Sequence, residues 1–293
     1  IEEKFTFMTW DSAKAIREKV TAGTKVLIIG AGLIGLKCAE ALHHLNADIT
    51  VVDLADRILP SILDVRAGEI MQKHIEDKGT KFILGTSVEQ FSKNSAKLTN
   101  GETVDFDILV IAVGVRPNTE LVSDAGGKVE KGIITDLHQQ TTIDNVYAAG
   151  DCTVSHDCSS NTDRILALLP NAFMQGEVAG KNMAGEETLY LNAIPMNAIG
   201  FYGLHIITAG SYDGDEDITE DADKEIYKKL VFKDGLLKGF ILMGDVARAG
   251  IYTSMIKEQI PLTEVDLDLL RDKPQMMMFG KARREEKLAG KKH

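Results

Sequence analysis

Four residues in this sequence have types and spacing that could do chemistry with a phosphate ester. Gly30, Gly32 and Gly35 stand in the run Gly30-Ala31-Gly32-Leu33-Ile34-Gly35, and Asp53 follows about twenty residues beyond it. A glycine at the first place permits a tight turn. A second lets the backbone approach a pyrophosphate, and a third lets a helix pack closely on a strand. The free N–H groups and partial positive charge of a helix start then meet the phosphates, with Leu33 and Ile34 in that first turn. A carboxylate at Asp53 accepts hydrogen bonds from ribose hydroxyls and repels a 2′-phosphate, so the spacing points to NAD(H) over its phosphorylated form. Arg57, close by, could soften that preference.

The elements that would position these residues can be read on either side of them. Lys25 to Gly30 is an almost purely apolar run, suited to a strand buried on both faces of a parallel sheet. Leu33 to Leu45 reads as a helix, Asp48 to Asp53 as a second strand, Arg66 to Lys78 as a helix and Lys81 to Leu84 as a strand. Upstream, Asp11 to Val20 has a helical pattern with Asp11 or Ser12 able to cap it. Asn100-Gly101 signals a hairpin turn, and Phe106 to Val113 is another buried strand. This alternation predicts a doubly wound α/β domain over 22–115, preceded by a linking segment over 1–21. Further on, a long helix is expected from Leu168 to Met183. Beyond Pro195 the pattern turns mostly to strands: Ala198 to Thr208, Tyr227 to Phe232, and Leu236 to Met243 across an Asp234-Gly235 turn.

Composition narrows the class. With 44% hydrophobic and 26% charged residues, the 293-residue chain reads as an ordinary globular protein of two or three units. Its formal net charge of -11 repels phosphate backbones and argues against a nucleic-acid partner. No apolar run is long enough for a membrane helix and no leader is signalled. Cys38, Cys152 and Cys158 are too few and too uneven for a disulfide framework, so a reducing cytoplasm is the expected location.

Three later stretches carry a resemblance. They are Ala112-Val113-Gly114-Val115-Arg116-Pro117-Asn118, Thr141 to Cys152 with its Gly150-Asp151 pair, and Leu168 to Gly180. Together with the glycine run they resemble the pyridine nucleotide–disulfide oxidoreductase superfamily. Tyr227 to Asp245 is similar to the C-terminal domain of its NADH:rubredoxin reductase, NADH oxidase and nitrite reductase flavoprotein branch. The resemblance implies a Rossmann-like NAD domain, the C-terminal half of an FAD domain over 116–194, and an α+β domain over 195–293 of a kind that forms homodimer interfaces. It implies that Ala112, Val113 and Gly114 pass near the NAD(H), and that Gly150, Asp151, Leu168 and Leu169 hold FAD. Asp151 would bond the flavin's ribityl chain, and the Leu168 helix would stabilise charge on the reduced ring. No side chain is expected to be an acid–base catalyst. The implied activity is hydride transfer from NADH to FAD, then electron transfer to an acceptor such as rubredoxin, oxygen or a nitrite-reductase partner.

The sequence departs from the pattern in several places. Relatives open with another glycine fingerprint for FAD, absent here, so the chain is expected to be the later part of a longer flavoprotein, colourless and inactive by itself. The alternative is a non-catalytic NAD-binding module or fragment. A flavin-free dehydrogenase is disfavoured by the Gly150-Asp151 pair. Lys37 stands where many relatives carry a glutamate near the nicotinamide, leaving its placement open. Cys152 and Cys158 do not match the redox CxxxxC, Cys38 reads as a small buried hydrophobe, and His205 alone does not replace the His-Pro-Thr…Glu signature of dithiol reductases. Asp213 to Asp217 looks like the start of a calcium loop, but Ile218 and Lys224 occupy the places of its glycine and glutamate, so a solvated acidic loop is expected and no metal site. The basic stretch Lys281 to His293 reads as a solvent-facing helix able to dock a small acidic redox protein, and Met276 to Phe279 as core or interface packing.

Overall fold

A computed structural model describes residues 1–289. The chain divides into two compact units: Ile1–Val115 with Ile199–His205, and Arg116–Ala198 with the residues from Ile206 onward.

In the first unit the elements run β1 (Lys4–Thr6), α1 (Trp10–Lys19), β2 (Lys25–Ile29), α2 (Leu33–His43), β3 (Asp48–Val52), α3 (Val65–Glu76) and β4 (Lys81–Ile83). Then follow β5 (Val88–Phe91), β6 (Ser95–Leu98), β7 (Thr103–Asp105) and β8 (Ile108–Ile111). Five strands form an all-parallel sheet in the order β1-β8-β2-β3-β4. The chain moves outward from β2 through β3 to β4, then returns to β8 on the other side of β2. The C-terminal end of β2 is therefore the switch point where open α/β sheets bind ligands. The sheet is covered on both faces, as its apolar strands require. β5 to β7 form a small antiparallel sheet whose Ala96 and Leu98 pack on Leu27, Val52 and Leu109, while α2 packs on β2 and β3 and buries Leu36, Ala39 and Leu42.

Two details differ from the sequence reading. Thr9, not Asp11 or Ser12, caps α1; its hydroxyl accepts from the Ser12 N–H while the Ser12 hydroxyl accepts from the Thr9 N–H, a reciprocal capping box. The opening segment also contributes β1, which adds an edge strand to the parallel sheet beside β8.

The second unit contains α4 (Glu120–Ser123), β9 (Ile133–Ile134), β10 (Thr153–Asp157), β11 (Thr162–Ile165) and α5 (Leu169–Met183). Next come β12 (Met196–Phe201) and β13 (Leu204–Gly210), whose shared end Ile199–His205 belongs to the first unit, then β14 (Asp215–Asp221), β15 (Ile226–Lys233) and β16 (Leu236–Met243). The helices α6 (Ala249–Lys257), α7 (Leu267–Asp272) and α8 (Lys281–Leu288) complete it. The later strands form one five-stranded sheet, β12-β13-β16-β15-β14. Its core gathers Leu230, Leu237, Phe240 and Leu242 with Tyr252, Met255 and Ile256 of α6, joined by Met278 and Phe279. Met277, by contrast, is exposed.

The expected single strand from Ala198 to Thr208 is a hairpin. Tyr202 and Gly203 adopt φ of 50° and 90° and fold the chain between β12 and β13. Positive φ at both central residues suits a tight hairpin, but a tyrosine there carries strain. Contacts within the first unit hold it: the Tyr202 N–H donates to Glu40 Oε1 at 2.6 Å, its carbonyl pairs with His74 Nε2 at 3.1 Å, and its hydroxyl meets Thr80 Oγ1 at 3.0 Å.

The expected acidic loop is mostly strand β14. Its carboxylates meet cations one by one: Glu216 pairs with the buried Lys229 at 2.5 Å, Asp217 with Arg271 at 2.6 Å and Asp221 with Lys224 at 2.7 Å. Nor is the described part of the basic tail free. Arg283 pairs with Glu264 at 2.8 Å, and Lys287 lies 2.8 Å from Glu258 and over the Phe279 ring. Lys291, Lys292 and His293 lie outside the described residues.

Candidate functional site

The glycine corner is built at the end of β2. Gly30 has φ of 115°, its N–H donates to the Val52 carbonyl at 2.8 Å, and a Cβ placed on it would overlap the Ala112 carbonyl. A Cβ on Gly35 would overlap the carbonyl of Gly30. Both glycines are thus dictated by backbone packed against backbone. Gly32 differs. It caps α2 with φ of -84°, and a Cβ there meets nothing within 4 Å. No described residue requires a glycine at that position, which leaves an open approach to the helix start.

That helix start is electrostatically unanswered. No side chain caps α2 and no acid sits in its first turn, which Leu33 and Ile34 occupy. By ordinary helix geometry the first N–H groups lack intrahelical partners and carry the positive end of the dipole. The corner therefore fits the diphosphate of a dinucleotide.

Asp53 closes the same corner. Its Oδ2 accepts from the Ala31 N–H at 2.6 Å and its Oδ1 from the Ala55 N–H at 2.7 Å. Those two amides, which the sequence does not mark, fix the carboxylate at the lip of the glycine loop and leave lone pairs for further donors. Arg57 pairs with the exposed Asp56 at 3.1 Å, and its buried Nε has no partner among the described residues. Beside the corner, Ala112 donates to Ile29 O at 2.8 Å, and Val113 and Gly114 emerge exposed after β8.

Lys37 has found local partners. Its Nζ lies 2.6 Å from Glu40 Oε2 and 2.5 Å from the Gly200 carbonyl, and 5.1 Å from the centre of the Phe201 ring. One helical turn and the hairpin tip together neutralise the charge that stands where a glutamate is usual. Cys38, next to it, is fully buried, and burial pushes its thiol up to about 12, so it stays a neutral apolar group. All three cysteines are free thiols.

Gly150, Asp151, Leu168 and Leu169 lie in the second unit. Gly150 has φ of 89°, Asp151 is exposed, and α5 begins at Leu169 with Pro170 in its first turn and no side-chain cap. Leu169 and Phe173 are 84% and 74% exposed, unusual for large apolar residues on one helix. The loop is tied to the helix by Gln175, which the sequence reading missed. Buried at 1% exposure, it accepts from the Gly150 N–H at 2.6 Å and donates to Ser155 Oγ at 2.7 Å, while Thr153 Oγ1 donates to the Gly150 carbonyl at 2.8 Å. A positive-φ turn, an exposed carboxylate and an uncapped helix start are a donor and acceptor set that suits a polar, partly anionic cofactor such as a flavin.

Among the described residues no three His, Cys, Asp or Glu side chains cluster as a metal site, and no helix is long and apolar enough to cross a membrane.

Comparison with known proteins gives the family. The profile of the family described as "Pyridine nucleotide-disulphide oxidoreductase" matches residues 2–176, and that of the "Rubredoxin NAD+ reductase C-terminal domain" matches residues 195–260. The chain is 32% identical over 266 residues to the NADH-dependent phenylglyoxylate dehydrogenase subunit epsilon of Aromatoleum evansii, covering 87% of this chain and 63% of that protein. It is 30% identical to the Rubredoxin-NAD(+) reductase of Acinetobacter baylyi, covering 88% of this chain and 64% of that one. A NAD-dependent persulfide reductase from A. fulgidus superposes with a TM-score of 0.79 at 26% identity, over 90% of this chain and 54% of that chain. The chain thus spans a little under two thirds of the length of the curated relatives compared. It belongs to the pyridine nucleotide–disulphide oxidoreductase family.

Proposed function

We propose that this chain binds NADH at the Gly30–Gly35 corner and serves as the nicotinamide half of an FAD-dependent oxidoreductase. One observation carries the reading: Gly32 stands open at an uncapped helix start beside a carboxylate held by Ala31 and Ala55, while its two neighbouring glycines are hemmed in by backbone. The amides at Gly32, Leu33 and Ile34 would hold the diphosphate, and Gly35 would bring α2 close enough to offer them. Asp53 would accept from the adenosine ribose and repel a 2′-phosphate. The backbone from Ala112 to Gly114, exposed at Val113 and Gly114, would border the nicotinamide side.

The second half of the reading assigns FAD to Gly150, Asp151, Leu168 and Leu169. Asp151 would accept from the ribityl hydroxyls, and the start of α5 would favour negative charge on the ring. Gln175 would act as a positioning residue for the loop. When bound, the two cofactors supply hydride transfer and onward electron delivery; the chain contributes binding, orientation and electrostatics. No acid–base side chain is assigned.

We further infer that in the working enzyme a preceding FAD-binding segment covers Leu169 and Phe173, whose exposure and the greater length of the relatives support it. The finer division in this reading is a nicotinamide-binding part over 22–115 led in by 1–21, a flavin part over 116–194 and an α+β part over 195–293. The electron acceptor is proposed to be a small redox protein, as the name of the Acinetobacter baylyi relative suggests. A homodimer through the α+β part and a cytoplasmic location complete the proposal.

The test uses this polypeptide as it is. It is expected to be colourless when purified and to bind NADH, yet to reduce an artificial acceptor with NADH no faster than buffer, with or without added FAD. Tight stoichiometric yellow flavin would refute the need for a covering segment. Failure to bind NADH would refute the whole reading. NADH binding without turnover in the full-length protein as well would favour the alternative, a non-catalytic NAD-binding module, which the same exposed flavin face accommodates.

A further inference from the structure

The sole tryptophan of the sequence stands in the open. Trp10 is 78% exposed, and Met8, two residues before it, is 56% exposed. The backbone beneath the ring is nonetheless fixed. Trp10 is the first residue of α1, and the reciprocal cap between Thr9 and Ser12 sets the helix start that carries it. Among the described residues nothing pairs with its ring or with its indole N–H. A firmly mounted, uncovered indole offers a flat apolar face to whatever lies beside it.

Strand register says what lies beside it. Thr6 of β1 stands opposite Ile111 of β8, Ile111 opposite Ile29 of β2, and Ile29 opposite Val52 of β3. These four residues form one row across a sheet whose strands all run the same way. The segments that follow them therefore leave by one edge. Beyond Val52 comes Asp53, beyond Ile29 the glycine corner, beyond Ile111 the exposed Val113, and beyond Thr6 the exposed Met8 and Trp10. Neighbouring strands lie about 4.8 Å apart, so the step from β2 to β1 is about 10 Å.

A dinucleotide on this edge has its direction set by two contacts. The adenosine ribose meets Asp53 after β3, and the diphosphate meets the start of α2 after β2. The rest of the ligand continues away from β3, past β8 and toward β1. Its nicotinamide ring then arrives where Val113, Met8 and Trp10 stand exposed. A planar ring is best received by a flat apolar face, and the indole is the largest such face among protein side chains.

We propose that Trp10 receives the nicotinamide ring of bound NADH, with Met8 as an adjoining apolar contact. This rests on the assignment of NADH to the Gly30–Gly35 corner, and adds where the far half of the ligand lies and which side chain meets it. Trp10 orients the ring and takes no part in moving the hydride. Substituting it leaves the fold intact, since the exposed ring packs on little of the chain.

ADP-ribose keeps the adenosine and the diphosphate but lacks the nicotinamide, so it separates the two ideas. Calorimetric titration of the full chain is expected to show NADH bound at least about fivefold tighter than ADP-ribose. Trp10→Ala weakens NADH about fivefold or more and leaves ADP-ribose within about twofold of wild type. Trp10→Phe, which keeps an aromatic face, recovers most of the NADH affinity. Urea unfolding followed by circular dichroism checks that each variant is folded. Saturable ADP-ribose binding, with equal NADH affinity in wild type and a folded Trp10→Ala, overturns the inference and leaves the dinucleotide assignment standing. An equal loss of both ligands in Trp10→Ala also overturns it. If neither ligand binds the folded wild type, the dinucleotide assignment fails and this inference with it.

Discussion

Gly32→Ala is expected to leave the chain folded and to weaken NADH binding by about a hundredfold, or about 2.7 kcal/mol. The added methyl meets no protein atom within 4 Å, and the backbone φ of -84° is ordinary for alanine. Replacing a glycine N-cap by alanine changes stability by about 1 kcal/mol or less. The same methyl would stand where a phosphate must approach the α2 amides, each charge-assisted hydrogen bond there being worth about 1.5–3 kcal/mol. Gly35→Ala should behave in the opposite order. Its methyl overlaps the Gly30 carbonyl, so the strand–helix corner must open and the unit loses about 1–3 kcal/mol or more before any ligand is considered. Urea unfolding and NADH titration of both variants separate the two roles. If Gly32→Ala binds NADH like wild type, the open face at this glycine serves something else.

Gln175→Leu is the second large effect. The leucine fits a site of similar size but leaves the Gly150 N–H and the Ser155 hydroxyl without their buried partner. Leaving such groups unpaired costs about 2–3 kcal/mol, or a fall of about 4–10 °C in Tm. Gln139→Leu is the matched comparison, since it removes a buried Oε1 that has no partner, and its stability should hold or rise. Under the proposed FAD assignment, Gln175→Leu should also weaken flavin binding at this loop, because the segment that presents Asp151 is no longer tied to α5. A Gln175→Leu variant that melts with wild type would mean the amide network does not set the loop.

How much of this could be read from the residues depends on the range of the interactions. The glycine corner was legible because turn, amide presentation and close packing are decided within one βαβ unit. The Asp234-Gly235 hairpin was legible for a similar reason: φ of 52° and 72° are what aspartate and glycine tolerate. Tyr202-Gly203 makes the same kind of turn, yet tyrosine is not a turn residue. Its conformation is held by Glu40, His74 and Thr80, more than a hundred residues away in sequence. The acidic run read as a loop because its own residues repel. It becomes a strand because β15 and α7 bring Lys229 and Arg271 alongside. Lys37 was ambiguous for the same reason, since its carbonyl partner at Gly200 is 163 residues distant. Gln175 carried no signal at all, being one buried amide on a helix whose interest lay at its other end.

In the proposed reading, backbone amides at one strand–helix corner, with Asp53 beside them, select a nicotinamide dinucleotide that lacks a 2′-phosphate. The most direct measurement is a fluorescence titration of the folded chain with NADH and, in parallel, NADPH. One saturable NADH site is expected, at least about tenfold tighter than NADPH, with the preference shrinking in Asp53→Ala. A chain that unfolds cooperatively in urea, and so is properly folded, yet shows no saturable response to NADH would contradict the account.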